Sequence, residues 1–116
     1  MRNLLTVPPD VASEGGSAPE FCETLMQGTG ARVERIISHG HVTPENTWYD
    51  QGQDEWVTVV EGEAAIAYPD GTEVFLRKGD YLFLPRHARH RVAHTSSPCI
   101  WLAVFADAVS EAGSEA

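Results

Sequence analysis

The chain has 116 residues, of which 42% are hydrophobic, and its 17 acidic and 8 basic side chains give a formal net charge of −9. This length allows one domain with one sizeable core, and the apolar content is too high for a disordered chain. The negative charge argues against nucleic acid or an anionic membrane as a partner, because both are polyanions.

The N-terminal residues do not resemble the core of a signal peptide. Leu4 and Leu5 begin an apolar run that Pro8, Pro9 and Asp10 end. No other apolar run approaches the ~20 residues that a membrane-spanning helix needs. We therefore expect a cytoplasmic protein. The two cysteines form no CxxC motif, which excludes a zinc ribbon.

Residues 1–30 are predicted to form an N-terminal extension. Prolines and glycines interrupt residues 1–19, where the only element we predict is a short edge strand at residues 4–7. In residues 20–27 apolar and polar side chains alternate, which favours a strand over a short helix. A glycine-rich turn at residues 28–30 ends this strand.

Residues 31–38 form the next predicted strand, because they are rich in β-branched side chains. Successive side chains of a strand point to opposite faces. The two predicted faces are Val33, Arg35 and Ile37 on one side and Arg32, Glu34 and Ile36 on the other.

A loop with two histidines, His39 and His41, follows this strand. If these residues were on a strand, both imidazoles would share one face and could bind a metal. The composition around them instead favours two exposed loop histidines.

Short runs of β-branched and aromatic residues continue at intervals of roughly 8–12 residues, which is typical of an all-β sandwich or barrel. The strongest turn signal is at residues 69–72, since Asp-Gly readily adopts the positive φ of a two-residue hairpin. We expect a barrel over residues 31–105 and a polar tail over residues 106–116. The remaining predicted strands are 48–51, 55–60, 64–68, 73–77, 81–84, 89–95 and 99–105.

Residues 85–91, with the sequence PRHARHR, contain three arginines. One interpretation is an anion-recognising surface, because arginine makes bidentate contacts with carboxylates and phosphates. The interpretation that we favour is a solvated outer face that pairs with nearby acidic residues.

The middle of the chain contains Glu55 and Gly62, seven residues apart, followed by Gly79, Pro85, His90 and His94. In this spacing residues 31–105 resemble the cupin family. The first cupin motif contains a glutamate and a later glycine, and the second contains a glycine, a proline, a histidine and a polar residue at fixed spacing. The resemblance implies a jelly-roll β-barrel, or double-stranded β-helix, that forms a homodimer through edge strands. The matching positions are Glu55, Gly62, Gly79, Pro85, His90 and His94.

The chain departs from the cupin pattern where the family has two histidines before the glutamate. Tyr49 and Gln51 occupy these positions at one of the two permitted spacings, and Trp48 and Asp50 occupy them at the other. The metal site of the family is therefore only half present by residue type.

Strand alternation predicts which of these side chains enter the barrel. Asp50 has the wrong parity and needs a bulge to turn inward, whereas Trp56 is expected to face outward. The predicted inward residues are Gln51, Glu55, Val57, Val59, His90, Val92 and His94.

A carboxylate, an imidazole and an amide oxygen together suit a divalent metal such as Zn²⁺, Mn²⁺, Fe²⁺ or Ni²⁺. The alternative is a buried, hydrogen-bonded ion pair of Glu55 and His90 without a metal. The catalytic candidates are Tyr49, as a proton donor near the mouth of the barrel, and His94. The candidate metal ligands are Gln51, Glu55, His90 and Asp50.

Three functions agree with this site. The first is a metal-containing cupin that acts on a small polar molecule, with the metal as Lewis acid or oxygen-activating centre. The second is a non-catalytic cupin that binds or senses a small molecule. The third is a metal-free acid–base enzyme, such as an isomerase of sugar derivatives, with His90 and Tyr49 as base and acid.

Overall fold

The computed structural model describes residues 1–9, 11 and 20–107. Across these residues the chain forms eight β-strands, and none of them belongs to a helix long and apolar enough to cross a membrane. Most of the predicted polar tail, from residue 108 onward, lies outside the described residues. The strands are β1 (Phe21–Gly28), β2 (Ala31–Ser38), β3 (Asp54–Glu61), β4 (Glu63–Ala67), β5 (Glu73–Arg77), β6 (Tyr81–Leu84), β7 (Arg91–Thr95) and β8 (Cys99–Ala106).

The strands form two antiparallel sheets. One has five strands in the order β1-β2-β8-β3-β6, and the other has three in the order β5-β4-β7. The last strand, β8, lies between β2 and β3, so that segments distant in sequence pair over their whole length. The prediction of an all-β jelly roll is confirmed.

The strand bounds agree closely with those predicted, and β2, β5 and β6 begin and end at the predicted residues. Two short strands were predicted wrongly. Residues 4–7 form no strand, and in residues 48–51 only Tyr49 makes an isolated bridge, to His90. Both runs are shorter than the typical strand of five to six residues, and a run this short gains few ladder hydrogen bonds.

The core lies between the two sheets, because alternate residues of each strand point inward. Burial of a large aliphatic or aromatic side chain contributes about 1.5–3 kcal/mol. Trp56 faces the other way, as predicted, and its ring centroid lies 5.4 Å from that of Tyr81. The buried core residues are Val57, Val59, Ala64, Ile66, Leu76, Leu84, Cys99, Trp101, Ala103 and Phe105.

The turn between β3 and β4 depends on Gly62, which has a φ of 89°. A Cβ atom there would lie 2.5 Å from the carbonyl oxygen of Pro98 and would also collide with the hydroxyl oxygen of Ser96. That hydroxyl oxygen accepts a hydrogen bond from the N–H of Glu63 at 2.9 Å. The close approach of the backbone explains why a glycine follows Glu55 at this spacing.

Arg35 ties the N-terminal segment to the outer face of β2. Its Nη1 donates hydrogen bonds to the carbonyl oxygens of Leu4 at 3.1 Å and Thr6 at 2.7 Å. Its Nη2 pairs with Oε1 of Glu23 on β1 at 2.6 Å. The N–H of Thr6 bonds to the carbonyl of Asn3 at 3.1 Å, which closes a turn. Main-chain carbonyls here bond to a side chain rather than to another strand, so the predicted edge strand does not form.

Candidate ligand-binding site

A cavity of about 230 Å³ opens between the two sheets. We distinguish three groups of lining residues: an apolar floor, a polar wall and a charged rim. The apolar floor is Ile36, Val57, Ile66, Leu84, Val92, Trp101 and Phe105; the polar wall is Tyr49, Gln51, Glu55 and His90; and the charged rim is Glu20, Cys22, Arg32 and Glu34.

Two loops joined by backbone hydrogen bonds position the polar wall. The N–H of Tyr49 donates to the carbonyl of His90 at 2.8 Å, and the N–H of His90 donates back at 3.2 Å. The N–H of His87, a residue with a φ of 61°, donates to the carbonyl of Gln51 at 2.8 Å. Because the reciprocal pair fixes the two chains side by side, the side chains of Tyr49 and His90 lie next to each other.

A buried carboxylate anchors the second of these loops. Asp54 is 4% exposed, and it accepts hydrogen bonds from the backbone N–H of Arg86 at 2.7 Å and from its Nη2 at 2.8 Å. Asp54 directly precedes Glu55, so the two carboxylates point to opposite faces of β3. The end of β3 thus presents Glu55 to the cavity and also holds the loop that leads to His90.

Glu55 is the buried acid of the polar wall, with 7% of its surface exposed. Its Oε1 accepts a hydrogen bond from the side-chain amide of Gln51 at 2.9 Å. Burial raises the pKa of Glu55, whereas this hydrogen bond and the nearby imidazole of His90 lower it less strongly. Glu55 therefore keeps its proton to a higher pH than an exposed glutamate.

His90 is the buried base of the polar wall, with 4% of its surface exposed. Its Nδ1 lies 2.9 Å from the carbonyl oxygen of Ala88. A carbonyl oxygen only accepts hydrogen bonds, so Nδ1 carries the proton and the lone pair of the neutral ring is on Nε2. The ring also stacks on Tyr49, with the centroids 5.6 Å apart. His90 is thus held in one orientation and one tautomer.

Tyr49 covers the imidazole and is itself 42% exposed. Burial of its other half and the nearby carboxylate of Glu20 raise the pKa of the Tyr49 hydroxyl. The hydroxyl therefore stays protonated at neutral pH and can donate a hydrogen bond at the cavity.

Arg32 is the one basic residue of the charged rim, and its guanidinium group already has partners within the protein. Its Nε donates to Oε2 of Glu34 at 2.7 Å, and its Nη1 donates to Oε1 of Gln53 at 2.6 Å. The guanidinium carbon lies 4.1 Å from the centroid of the Phe105 ring, a cation–π contact. The positive charge of Arg32 is therefore paired with the carboxylate of Glu34.

Glu20 and Cys22 complete the charged rim at the start of β1. The hydroxyl of Ser38 donates to Oε2 of Glu20 at 2.9 Å. Burial raises the pKa of the Cys22 thiol to about 11, and the carboxylates of Glu20 and Glu34 contribute to the rise. Cys22 is therefore a neutral thiol at neutral pH.

Sequence analysis assigned no role to the charged rim. Alternation in residues 31–38 correctly placed Arg32, Glu34 and Ile36 on one face, but it did not show that this face lines a cavity. That depends on the pairing of β2 with β8, in which Ile36 lies opposite Trp101. The sequence signal that could have indicated a cavity was the face of β2 on which Arg32 and Glu34, two opposite charges, lie beside Ile36.

Asp50, a predicted metal ligand, lies outside the cavity. It is exposed, and its Oδ1 lies 2.7 Å from Nδ1 of His87. Its parity is opposite to that of Gln51, which keeps it outside. Gln51, by contrast, lines the cavity beside Glu55, as its parity predicted.

His94, a predicted catalytic residue, also points away from the cavity, and its Nε2 lies 3.5 Å from a carboxylate oxygen of Glu63. The expectation that it shares the face of His90 is wrong because β7 contains a bulge. Ala65 of β4 pairs with His94, but the next residue pairs with Val92, which leaves an extra residue in β7. An extra residue reverses the alternation beyond it.

The arginines of residues 85–91 lie outside the cavity. Arg86 pairs with Asp54, as described above. The guanidinium carbons of Arg89 and Arg91 lie 5.9 Å and 6.0 Å from the ring centroid of Trp48. These contacts favour the interpretation of an outer face over that of an anion-recognising surface.

His39 was expected to be exposed, but it is only 8% exposed. The loop packs against the turn between β7 and β8, where the N–H of Gly40 bonds to the carbonyl of Ser96 at 3.1 Å. Nδ1 of His39 lies 3.2 Å from the hydroxyl of Ser97. This histidine belongs to the packing of the loop and does not line the cavity.

The polar wall offers fewer metal ligands than the metal centre that the resemblance implied. Catalytic zinc sites use about three protein ligands, and the wall offers one carboxylate and one imidazole. The amide nitrogen of Gln51 donates to Glu55, so its oxygen is the one further donor that this side chain could supply. Among the residues that the structure describes, no group of three or more His, Cys, Asp or Glu side chains could hold a metal ion.

Comparison with known proteins places the chain in a family. A family model described as a cupin domain matches residues 33–105. A crystal structure from Ralstonia eutropha JMP134, of a protein described provisionally as a mannose-6-phosphate isomerase, shares 42% sequence identity. It covers 93% of this chain and 98% of its own, with a TM-score of 0.80. No protein of curated function matches the chain.

More distant structures agree in fold. A cupin superfamily protein from Desulfitobacterium hafniense DCB-2 is 16% identical, covers 84% of each chain and has a TM-score of 0.68. The EutQ protein of Clostridium difficile is 15% identical, covers 84% of this chain and 76% of its own, and has a TM-score of 0.65. At these identities the likeness concerns the fold alone.

Proposed function

The chain belongs to the cupin family, and on that premise we propose that its cavity binds one small polar organic molecule in direct contact with Glu55 and His90. The observation that carries the proposal is a carboxyl group and an imidazole, 7% and 4% exposed, that line one cavity with an apolar floor. Ligand sites commonly combine an apolar lining with a few convergent polar groups.

The size and lining of the cavity limit the ligand. At about 230 Å³ the cavity is smaller than the roughly 300 Å³ at which drug-sized sites begin. The apolar floor packs against a short carbon skeleton. Nε2 of His90 accepts a hydrogen bond from a hydroxyl or amino group of the ligand, and Glu55 accepts one or, when protonated, donates one.

A thermal-shift screen with compact sugars, polyols, amines and hydroxy acids tests the proposal. A ligand that binds only the folded state raises the melting temperature. We expect compounds that stabilise the native chain to lose this effect in His90→Asn and Glu55→Ala. His94→Ala is the matched control, because that histidine is exposed outside the cavity. Equal stabilisation of all the variants would contradict binding at the polar wall.

The other form of this proposal has a divalent metal between the ligand and the polar wall, as the resemblance to cupins implied. Elemental analysis of untagged protein separates the two forms. Stoichiometric Zn, Mn, Fe or Ni that is lost in Glu55→Ala and His90→Asn, but kept in His94→Ala, would favour the metal. The absence of such a difference would favour direct contact.

A second candidate function is acid–base catalysis, such as the isomerisation of a sugar derivative. The observation that favours it is the fixed tautomer of His90, which presents a proton acceptor at Nε2 in the same cavity as Glu55. The provisional description of the Ralstonia protein as an isomerase agrees with this chemistry. Nε2 would take a proton from a carbon next to a carbonyl group, and protonated Glu55 or Tyr49 would donate to the carbonyl oxygen.

Deuterium incorporation from heavy water into candidate aldoses and ketoses, followed by proton NMR, tests this second function. Exchange that requires His90 and persists with a chelator would support it. Binding in the thermal-shift screen without any exchange would leave a binding protein.

We also propose a homodimer, as the resemblance implied. The edge strand β1 exposes apolar side chains, with Leu25 39% and Met26 67% exposed. Sedimentation equilibrium should give a dimer that Met26→Lys weakens, and a monomeric native chain would contradict it.

A further inference from the structure

The geometry points to a charge preference of this cavity: it selects a small molecule with a cationic ammonium group and disfavours anions such as phosphate esters and carboxylates. This inference rests on the proposed binding of a ligand at the polar wall. It adds the chemical class of that ligand, which neither the fold nor the likeness to other cupins supplies.

The charged groups that line the cavity carry a net negative charge. Among the residues that the structure describes, they are three carboxylates, of Glu20, Glu34 and Glu55, and one guanidinium, of Arg32. With His90 neutral and Glu55 ionised, their formal charges sum to −2. Walls of one sign with low-dielectric surroundings concentrate the field inside a cleft.

The single guanidinium is poorly available to an anion. Two of its nitrogens already donate to Glu34 and Gln53, and its central carbon lies over the ring of Phe105. A phosphate or carboxylate that approached Arg32 would compete with the carboxylate of Glu34 already bound there, and it would lie in the same cavity as Glu20 and Glu55. Like charges at such short range are repelled.

The rest of the chain offers no other basic side chain to the cavity. All eight lysines and arginines fall within the described residues, since the remaining segments of the sequence contain none. Seven of the eight do not line the cavity. Those with an assigned partner elsewhere are Arg35 with Glu23, Lys78 with Glu61, Arg86 with Asp54, and Arg89 and Arg91 with Trp48.

A cation, in contrast, meets favourable groups on both sides of the cavity. A buried carboxylate such as Glu55 is stabilised by a charged partner, and its oxygens have more acceptor sites than the one bond from Gln51 uses. Glu20 contributes a second carboxylate on the charged rim. The aromatic side chains of Tyr49 and Trp101 are part of the lining, and aromatic rings attract ammonium groups.

Cys22 provides a probe of this field within the charged rim. We would measure the rate at which it reacts with a cationic aminoethyl and an anionic sulfonatoethyl methanethiosulfonate at low ionic strength. Each rate is divided by that of the same reagent with a small neutral thiol, which removes the intrinsic reactivity. The ratio of the two corrected rates also cancels the thiolate fraction of Cys22. Cys22→Ser identifies any signal from the buried Cys99.

The expected ratio is about tenfold in favour of the cationic reagent, from two net charges at roughly 10 Å in water. It should fall about threefold in Glu20→Gln and in Glu34→Gln. Glu73→Gln is the matched control, since it removes one carboxylate from the exposed end of β5, and the ratio should not change. A ratio near one, or one unaffected by Glu20→Gln and Glu34→Gln, would overturn the inference.

The thermal-shift screen separates this inference from the proposed function. Among the compounds that stabilise the chain through His90, we expect amines and no phosphate esters or carboxylates. Stabilisation by a phosphate ester that His90→Asn abolishes would overturn the charge preference and leave the binding site standing. The labelling ratio of Cys22 could be tenfold while no compound stabilises the chain through His90. That result would contradict ligand binding at the polar wall, but it would support a negative electrostatic field in the cavity.

Discussion

The polar wall and the charged rim line the same cavity, but different forces hold them in place. In the polar wall Glu55 and His90 are 7% and 4% exposed, and backbone hydrogen bonds between two loops set their positions. In the charged rim the side chains of Arg32 and Glu34 are 34% and 19% exposed and are held by each other. Changes near the wall should therefore reduce stability, whereas changes in the rim should alter charge with little loss of stability.

The glycine turns next to the strands that carry Glu55 and Arg32 should show the largest difference. Gly62→Ala, after the strand that carries Glu55, should lower the free energy of unfolding by about 4 kcal/mol, because the carbonyl of Pro98 must move. Gly30→Ala, in the β1–β2 turn of the rim, should lower it by about 1–2 kcal/mol, the strain of a positive φ. There the obstacle is the flexible carboxylate of Asp107, 2.8 Å from the added Cβ.

Urea unfolding of the two variants measures this difference. Equal losses would mean that the backbone around Pro98 adapts as easily as the side chain of Asp107.

The next largest difference in the free energy of unfolding should be between removal of Asp54, which holds the loop of the polar wall, and removal of Glu34 in the charged rim. Asp54→Ala should cost about 2 kcal/mol, because it leaves the backbone N–H of Arg86 in the neighbouring loop without its acceptor and removes the ion pair with the guanidinium of Arg86. Glu34→Ala should cost less than about 1 kcal/mol, the usual range of a partly exposed ion pair. Urea unfolding at two salt concentrations tests both, and a larger loss for Glu34→Ala would reverse the comparison.

The pH dependence of stability should distinguish the buried acid of the wall. Burial raises the pKa of Glu55 in the folded protein above its ordinary value of 4.5. As the pH rises from that value through the folded-state pKa, the unfolded chain releases its proton first, so stability falls and then stays lower. Glu55→Gln removes this loss. Its melting temperature relative to that of the native chain should be higher at about pH 8 than at about pH 4.

Calorimetry of both proteins across this pH range provides the measurement. Glu73→Gln, an exposed substitution of the same kind, should show no such trend. If the difference in melting temperature between Glu55→Gln and the native chain were the same at every pH, the hydrogen bond from Gln51 would cancel the effect of burial on the pKa of Glu55.

The smallest expected effect is on the thiol of the rim. Because burial and the carboxylates of Glu20 and Glu34 raise the pKa of Cys22 to about 11, its alkylation by neutral iodoacetamide should accelerate about tenfold per pH unit up to about pH 10. Glu20→Gln should raise the rate a few fold at a given pH. A rate that levels off near pH 9, the ordinary thiol value, would show that the rim is more open than the structure indicates.

The strands of this fold were predictable because local chemistry decides them. Glycine and Asp-Gly signals separate the runs, and alternation placed Glu55 and Val57 on one inward face, where they line the cavity. The spacing shared with cupins brought His90 to the same cavity although it is 35 positions from Glu55 in the sequence.

The parts that were not predictable depend on pairing between distant strands. The bulge in β7 reverses the parity of His94, and nothing in its local sequence marks it. Whether the face with Arg32 and Glu34 lines a cavity depends on where β2 meets β8. Alternation within one strand cannot contain this information, because register is a property of two strands.

The contact between Arg35 and the carbonyl oxygens of Leu4 and Thr6 is indifferent to side-chain identity, since every residue has a carbonyl group. The guanidinium recognises the path of the main chain, and the first residues can differ in chemistry while following the same course. A single buried cation on β2 therefore holds residues 3–6 against the sheet without requiring particular side chains in the segment that it binds.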